Sequence, residues 1–274
     1  MTGEVARLIA TDLDGTLLDS SGALSGRSAR ALRGAAEAGL LLVCATARPL
    51  WSAVALLRDA APVRYLVASN GAVVAELPSE RVLRTVAMPA ALTAAAVTAL
   101  AERCPGAVWA LDRAHDRVLS PDWPDVLVSG AARVRRSTTV PPGQDVLCLM
   151  VIGCPPEVGD DLARRLGLGC TSSSAGLLEL SAPGADKRTA LEWVLSRSGA
   201  GPLAEAVYGD APNDLGMFAL ARTAVAVGNA AEEVLLAADE VIGTNDEDGV
   251  AAHLEELALH TGTAAAAAQE KDFR

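Results

Sequence analysis

The sequence predicts an α/β fold in which a doubly wound parallel sheet is interrupted by an inserted α+β domain. Three observations predict it. Short apolar runs alternate with helical segments from Val5 to Leu57 and again from Lys187 to Leu259, the pattern of successive βαβ units. Two of these runs end in acids, Asp12 with Asp14 and Asp210 with Asp214, and the carboxyl ends of strands are where open α/β sheets bind ligands. Between Arg81 and Pro183 the alternation gives way to a mixture of strands and helices. The expected organisation is therefore a discontinuous core of residues 1–80 and 184–262, an insert of residues 81–183 and a frayed tail of residues 263–274.

The first strand rests on Val5, Leu8, Ile9 and Ala10. If its extended geometry persists, Asp12 and Asp14, two residues apart, point to one side, and Gly15 permits a sharp exit. Two acids at a buried strand end need a cation or donors, most simply a divalent metal; a turn cap with one solvated acid is the alternative. Ser25 opens a helix that runs to Ala38 and Gly39 closes it, before a strand from Leu40 to Ala45. That strand leads into Thr46-Ala47-Arg48-Pro49, with Pro49 suited to start the next helix. The Thr46 hydroxyl and nearby backbone N–H groups fit a phosphate contact or a simple helix cap. A strand from Tyr65 to Ser69 ends in the turn Ser69-Asn70-Gly71-Ala72, and Val73–Leu77 with Val82–Val86 reads as a hairpin.

In the insert, Ala90–Arg103 and Glu157–Leu166 read as helices and Ala107–Leu111, Val146–Ile152 and Leu177–Ser181 as strands, with Ser120–Gln144 irregular or weakly stranded. Lys187 then stands at the start of a helix from Arg188 to Ser196. The positive end of the helix dipole disfavours a lysine there, so either an anion lies nearby or the side chain is solvated. The strand Ala204–Tyr208 delivers Gly209-Asp210-Ala211-Pro212-Asn213-Asp214, in which Asp210 reads as a helix cap or a ligand. Ala224–Val227 (strand), Asn229–Ala237 (helix), Glu240–Ile242 (strand) and Glu247–Leu259 (helix) complete the pattern.

Of the 274 residues 51% are hydrophobic but only 3% aromatic, so the interior is expected to be packed aliphatic layers. A net charge of −11 argues against a nucleic-acid surface, and no segment reads as a signal peptide or membrane span. A cytoplasmic monomer is expected. Five scattered cysteines without a CxxC pair suggest reduced, mostly buried thiols, and the three histidines make no zinc spacing.

The motifs Asp12-Leu13-Asp14-Gly15-Thr16-Leu17-Leu18, Thr46, Lys187 and Gly209–Asp214, taken in order, resemble the four motifs of the haloacid dehalogenase superfamily. The stretch Ala224–Leu257 is similar to the Cof-like branch, whose core is Rossmann-like and carries an inserted α/β cap at this place. The resemblance implies a Mg²⁺-dependent phosphohydrolase acting on a small phosphorylated metabolite, a sugar phosphate or cofactor precursor, through an aspartyl-phosphate. It implies Asp12 as nucleophile, Asp14 as acid and base, and a metal held by Asp12, Asp210 and the backbone carbonyl of Asp14. Thr46, Ala47, Arg48, Lys187 and Asn213 would bind the phosphoryl group, with Asp214, Asn70 and Gly71 in support. Ala47 and Arg188 stand where glycine is usual in the family. Trp109, Arg113, His115, Trp123, Arg135 and Arg136 are the cap residues expected to bear on specificity. A phosphomutase, a phosphatase of riboflavin or nucleotide intermediates, and a catalytically silent ligand-binding module are the alternatives.

Overall fold

A computed structural model describes residues 6–114, 116–125, 134–172 and 176–258. Its first sheet has eight strands, β1 (Arg7–Thr11), β2 (Leu40–Ala45), β3 (Tyr65–Ala68), β4 (Val73–Glu76), β5 (Arg81–Thr85), β12 (Ala204–Gly209), β13 (Ala221–Val227) and β14 (Glu240–Ile242). They lie in the order β14-β13-β12-β1-β2-β3-β4-β5. The strands from β14 to β3 are parallel, and β3, β4 and β5 are antiparallel neighbours. Buried on both faces, the central parallel strands β12, β1 and β2 are nearly continuous aliphatic runs, as such sheets require, while the edge strand β14 is largely exposed. Ser25 caps helix α1 (Gly26–Glu37) by accepting from the Ser28 N–H at 2.9 Å.

The boundary expected at residue 81 falls inside this sheet. Arg81–Thr85 pairs with β4, so the hairpin that the turn residues specify stays with the first sheet and the chain leaves it only after Thr85. The second sheet has the order β10-β11-β9-β6-β7-β8, from β6 (Val108–Asp112), β7 (Arg117–Leu119), β8 (Val134–Arg136), β9 (Cys148–Ile152), β10 (Gly169–Ser172) and β11 (Leu177–Ser181). It is antiparallel except where β7 meets β8. Strand β8, of three residues, lies within the segment expected to be irregular or weakly stranded. On one face Leu111, Leu149, Val151 and Leu178 pack with α3 (Ala90–Arg103) and α4 (Pro156–Leu166). The other face carries Ala110, Leu119, Cys148 and Met150, together with Trp123.

Cys104 and Cys154, at the end of α3 and just before α4, form a disulfide, which corrects the expectation of reduced thiols for this pair. Cys44 and Cys148 are free and buried and Cys170 is free and partly buried. No described helix is long and apolar enough to cross a membrane. The expected tail of residues 263–274 lies outside the described residues.

The turn after β3 is a short 3₁₀ segment, Ser69–Gly71, in which all three residues have positive φ. Gly71 is required there: φ is 99°, and a Cβ would lie 2.1 Å from the Asp186 carbonyl oxygen at the entrance to α5 (Lys187–Ser198). Gly71→Ala is expected to destabilise the protein by about 2 kcal/mol or more, since strain and overlap with backbone act together. A urea-unfolding midpoint unchanged from wild type would contradict this packing.

Candidate active site

The parallel register brings distant parts of the chain to one level. Thr11 pairs with Tyr208, and the Asp12 N–H donates to the Tyr208 carbonyl at 3.0 Å, so Asp12 leaves β1 beside the exit of β12 toward Asp210. The chain turns at Pro212–Asp214 and continues into a short helix, α6 (Leu215–Phe218). Asp12, Asp210 and Asp214 converge, with one oxygen of each within 4.8 Å of the others.

Lys187 is the cation of this cluster. It stands in the first turn of α5, after the N-cap Asp186, and its Nζ donates to Asp12 Oδ1 at 2.8 Å and to Asp214 Oδ1 at 2.7 Å. Lysine and both carboxylates are buried. Burial works against the charge on Lys187, but Asp12 and Asp214 more than reverse it and hold the ammonium above its ordinary range. Burial pushes the Asp12 carboxyl up, Lys187 opposes the rise, and Asp214 and Asp210 add repulsion. Burial likewise raises Asp210, against the hydrogen bond from Thr16 Oγ1 to Asp210 Oδ1 at 2.6 Å.

The three acids divide into two kinds. Asp214 has both oxygens engaged, since Oδ2 also accepts the backbone N–H groups of Asp210 and Ala211 at 3.1 Å each. It therefore orients Lys187 and the 210–214 turn. Asp12 Oδ1 accepts from Lys187 and Asp210 Oδ1 accepts from Thr16, neither carboxylate being tied to the backbone through its side chain as Asp214 is, so these two are the candidates to hold a cation. Hard oxygen donors with excess negative charge fit Mg²⁺. Gly15 sits against this pair, with φ 80°, and a Cβ on it would come 2.5 Å from Asp210 Oδ2.

Asp14 does not converge with Asp12 through its carboxylate. The strand ends at Thr11, the chain turns at once, and the alternation that would align the two acids is lost. The Asp14 carboxylate is half exposed and clasped by Arg48, Nε to Oδ2 at 2.8 Å and Nη2 to Oδ1 at 2.6 Å. Arg48 is held above its ordinary range chiefly by that bond. Thr46 is buried; its Oγ1 accepts the Arg48 N–H at 3.0 Å, and its carbonyl accepts the Asn70 N–H at 3.0 Å. Ala47 lies between them, and Arg188 is exposed beside Gly216.

Asn70 ties the site to the second sheet. Its Nδ2 donates to Glu179 Oε2 of β11 at 2.6 Å, and its Oδ1 accepts from Asn213 Nδ2 at 3.0 Å. Asn213 Oδ1 is buried without a partner. Arg117 is paired with Asp112, at 2.5 Å from Nε to Oδ1, and its guanidinium lies 5.8 Å from the ring centroid of Trp51 on α2 (Leu50–Leu57). The sequence reading missed Glu179, Asp112, Arg117 and Trp51. For Glu179 a signal existed: one acid at the centre of the otherwise apolar strand Leu-Leu-Glu-Leu-Ser.

The expected specificity residues are dispersed. Trp109 packs on the helix-bearing face of the second sheet, Trp123 is buried on the other, and His115 lies outside the described residues. Arg113 and Arg135 both bond Asp116 at a cavity of about 720 Å³ that also meets Thr85, Ala87 and Leu147. Arg136 binds Asp125 and the carbonyls of Ser120, Pro121 and Trp123.

The sequence matches the haloacid dehalogenase-like hydrolase family over residues 9–119 and 154–254. It is 26% identical to a 5-amino-6-(5-phospho-D-ribitylamino)uracil phosphatase of Bacillus subtilis, covering 92% of this chain and 98% of the relative. It is 27% identical to a pyridoxal phosphate phosphatase of Escherichia coli, over 89% of this chain and 96% of the relative. Among solved structures, a haloacid dehalogenase-like hydrolase from Bacteroides thetaiotaomicron superposes with a TM-score of 0.79 at 26% identity, covering 92% of this chain and 99% of that one.

Because burial raises Asp12 and Asp210, protons compete with a metal for both carboxylates. Mg²⁺ affinity, measured by calorimetry, is expected to rise from pH 5.5 to pH 7.5 and to fall about tenfold or more in Asp210→Asn. Equal affinity in the variant would remove this pair as the metal site.

Proposed function

The chain belongs to the haloacid dehalogenase-like hydrolases, and from that membership we propose a Mg²⁺-dependent phosphatase of a small phosphorylated metabolite, a cofactor precursor or a sugar phosphate. The observation that carries this reading is the buried Lys187 ammonium bridging Asp12 and Asp214 beside Asp210. A phosphate ester repels a carboxylate nucleophile, so attack requires positive charge already in place. The phosphatases of Bacillus subtilis and Escherichia coli similar to this chain act on a phosphorylated ribitylaminouracil and on pyridoxal phosphate, which supports a cofactor-related ester.

Asp12 is the nucleophile, its carboxylate oriented by Lys187, and phosphoryl transfer forms an aspartyl-phosphate as the ester C–O–P oxygen departs. Asp12 and Asp210, with the backbone carbonyl of Asp14, would hold Mg²⁺, which supplies charge neutralisation for the transferring phosphoryl group. Lys187 offsets the remaining charge, and Thr46, the backbone at Ala47, Arg48 and Asn213 position the phosphoryl oxygens. Asp14 gives a proton to the leaving oxygen and then takes one from the water that attacks the aspartyl-phosphate, releasing inorganic phosphate and the free Asp12 carboxylate. To do so its carboxylate must leave Arg48, an exchange that a half-exposed ion pair permits at small cost. Gly71 and Asn70 hold the turn that faces this pocket.

Two substitutions test the assignment. Asp12→Asn is expected to lower phosphate release from a panel of sugar phosphates and phosphorylated cofactors by about a thousandfold or more, with folding retained. Substantial turnover in this variant, or full activity in chelator, would refute the reaction. Asp14→Asn is expected to accumulate phosphorylated protein in rapid-quench experiments, and a wild-type steady-state rate would take the acid–base role from Asp14.

A further inference from the structure

The chain leaves the first sheet after Thr85 and returns toward it through residues 182–186, and one side chain joins the two points. Arg84, partly buried on β5, donates from Nη1 to the Gly71 carbonyl at 3.2 Å and from Nη2 to the Gly184 carbonyl at 3.1 Å. Among the described backbone N–H groups none donates to either carbonyl, so the guanidinium is their donor. Arginine suits this task because two terminal nitrogens of one rigid, planar group reach two acceptors at once.

Both acceptors belong to the seat of Lys187. Ala182-Pro183-Gly184-Ala185 carries the residues of a type II turn: the Ala185 N–H donates to the Ala182 carbonyl at 3.0 Å, proline takes the second place, and Gly184 has φ 77°. Ala185 then packs into the core of the first sheet, the Asp186 backbone rests on Gly71, and the Asp186 carboxylate accepts the Thr189 N–H at 2.8 Å to cap α5. Lys187 is the next residue. Arg84 therefore holds both sides of one contact, the turn at Gly71 and the segment that lies on it. Residues 86–183 stand between Arg84 and Gly184 in the chain, so any displacement of the insert is transmitted along that segment toward Lys187.

We propose that Arg84 is a positioning residue for phosphoryl transfer: by pinning the Gly71 and Gly184 carbonyls together it fixes where α5 begins, and so keeps the Lys187 ammonium between Asp12 and Asp214. No described carboxylate pairs with Arg84, so its effect on the site runs through the backbone it holds. The inference rests on the phosphatase reading. Lys187 acts on the charge of the transferring group, and a shift of its ammonium by about an ångström is felt in the chemical step. A contact that only kept the insert in place would instead be felt in how substrate is bound.

The test compares Arg84→Met, which keeps the aliphatic stem and removes both donors, with Arg84→Lys, which restores a cationic donor. Phosphate release is followed with Mg²⁺ present, on the substrate that wild type turns over fastest among the sugar phosphates and phosphorylated cofactors, at a temperature where circular dichroism shows each variant folded. Arg84→Met is expected to lower kcat about tenfold or more while KM stays within about twofold of wild type, and Arg84→Lys to come within about threefold of wild-type kcat. Should Arg84→Met not fold, Arg84→Gln, whose amide can still serve one carbonyl, is expected to lower kcat severalfold at the same KM. A rise in KM at unchanged kcat, a lysine variant no better than methionine, or wild-type kinetics throughout would overturn the role of Arg84 and leave the phosphatase standing. No turnover by wild type on any of these substrates would overturn the phosphatase reading and this inference with it.

Discussion

The structure depends on one buried cation. Lys187 occupies the first turn of α5, the end of a helix least hospitable to positive charge, and sits there because Asp12 and Asp214 lie within 2.8 Å of its ammonium. Each partner would be untenable alone at that depth, where an unpaired charge is worth several kcal/mol. The three ends they belong to are therefore fixed together: the end of β1, the turn after β12 and the start of α5. Gly71 extends the constraint to the end of β3, because only a residue without a side chain lets that turn rest on the Asp186 backbone.

The sheet supplies the remaining precision. β1 is paired with β12 on one side and β2 on the other, in unbroken parallel register, so the polar residues following each strand emerge at the same height. Aliphatic side chains on both faces remove the freedom to slip. The site is thus a product of the core, and its acids are tolerated because they emerge where the hydrophobic layers stop. What Asp214 does illustrates the economy of the arrangement. With both oxygens committed to Lys187 and two backbone N–H groups, it fixes the lysine and the 210–214 turn together, and on the proposed function the metal falls to Asp12 and Asp210.

Much of the core was legible in the sequence because its signals are local. The strands Leu40–Ala45 and Glu240–Ile242 and the helix Ala90–Arg103 coincide with the elements expected, and the polar residues at strand ends mark the site without knowledge of the fold. Short strands were not legible. Arg117–Leu119 and Val134–Arg136 have three residues each, too few for a period, and exist because neighbouring strands pair with them. Asp14 shows the limit of alternation as an argument: it holds only while the strand lasts, and this one stops at Thr11. The contacts between the sheets were invisible for another reason. Glu179 and Asn70 are 109 residues apart, and nothing local in either segment names the other.

Those contacts have a common character that bears on how such a site could work. The residues joining the second sheet to the catalytic turns include a carboxylate on an amide and a guanidinium over an indole, Glu179 to Asn70 and Arg117 to Trp51. Polar contacts of this kind exchange readily for contacts with water, whereas an aliphatic seam would have to expose apolar area to part. The larger aliphatic seams lie between the second sheet and its own helices and within the first sheet, with Leu147, just before β9, and Val86 packing onto the first core. A phosphatase whose substrate must enter and whose water must be excluded during transfer needs this division, with rigid charge below and a resoluble polar joint above.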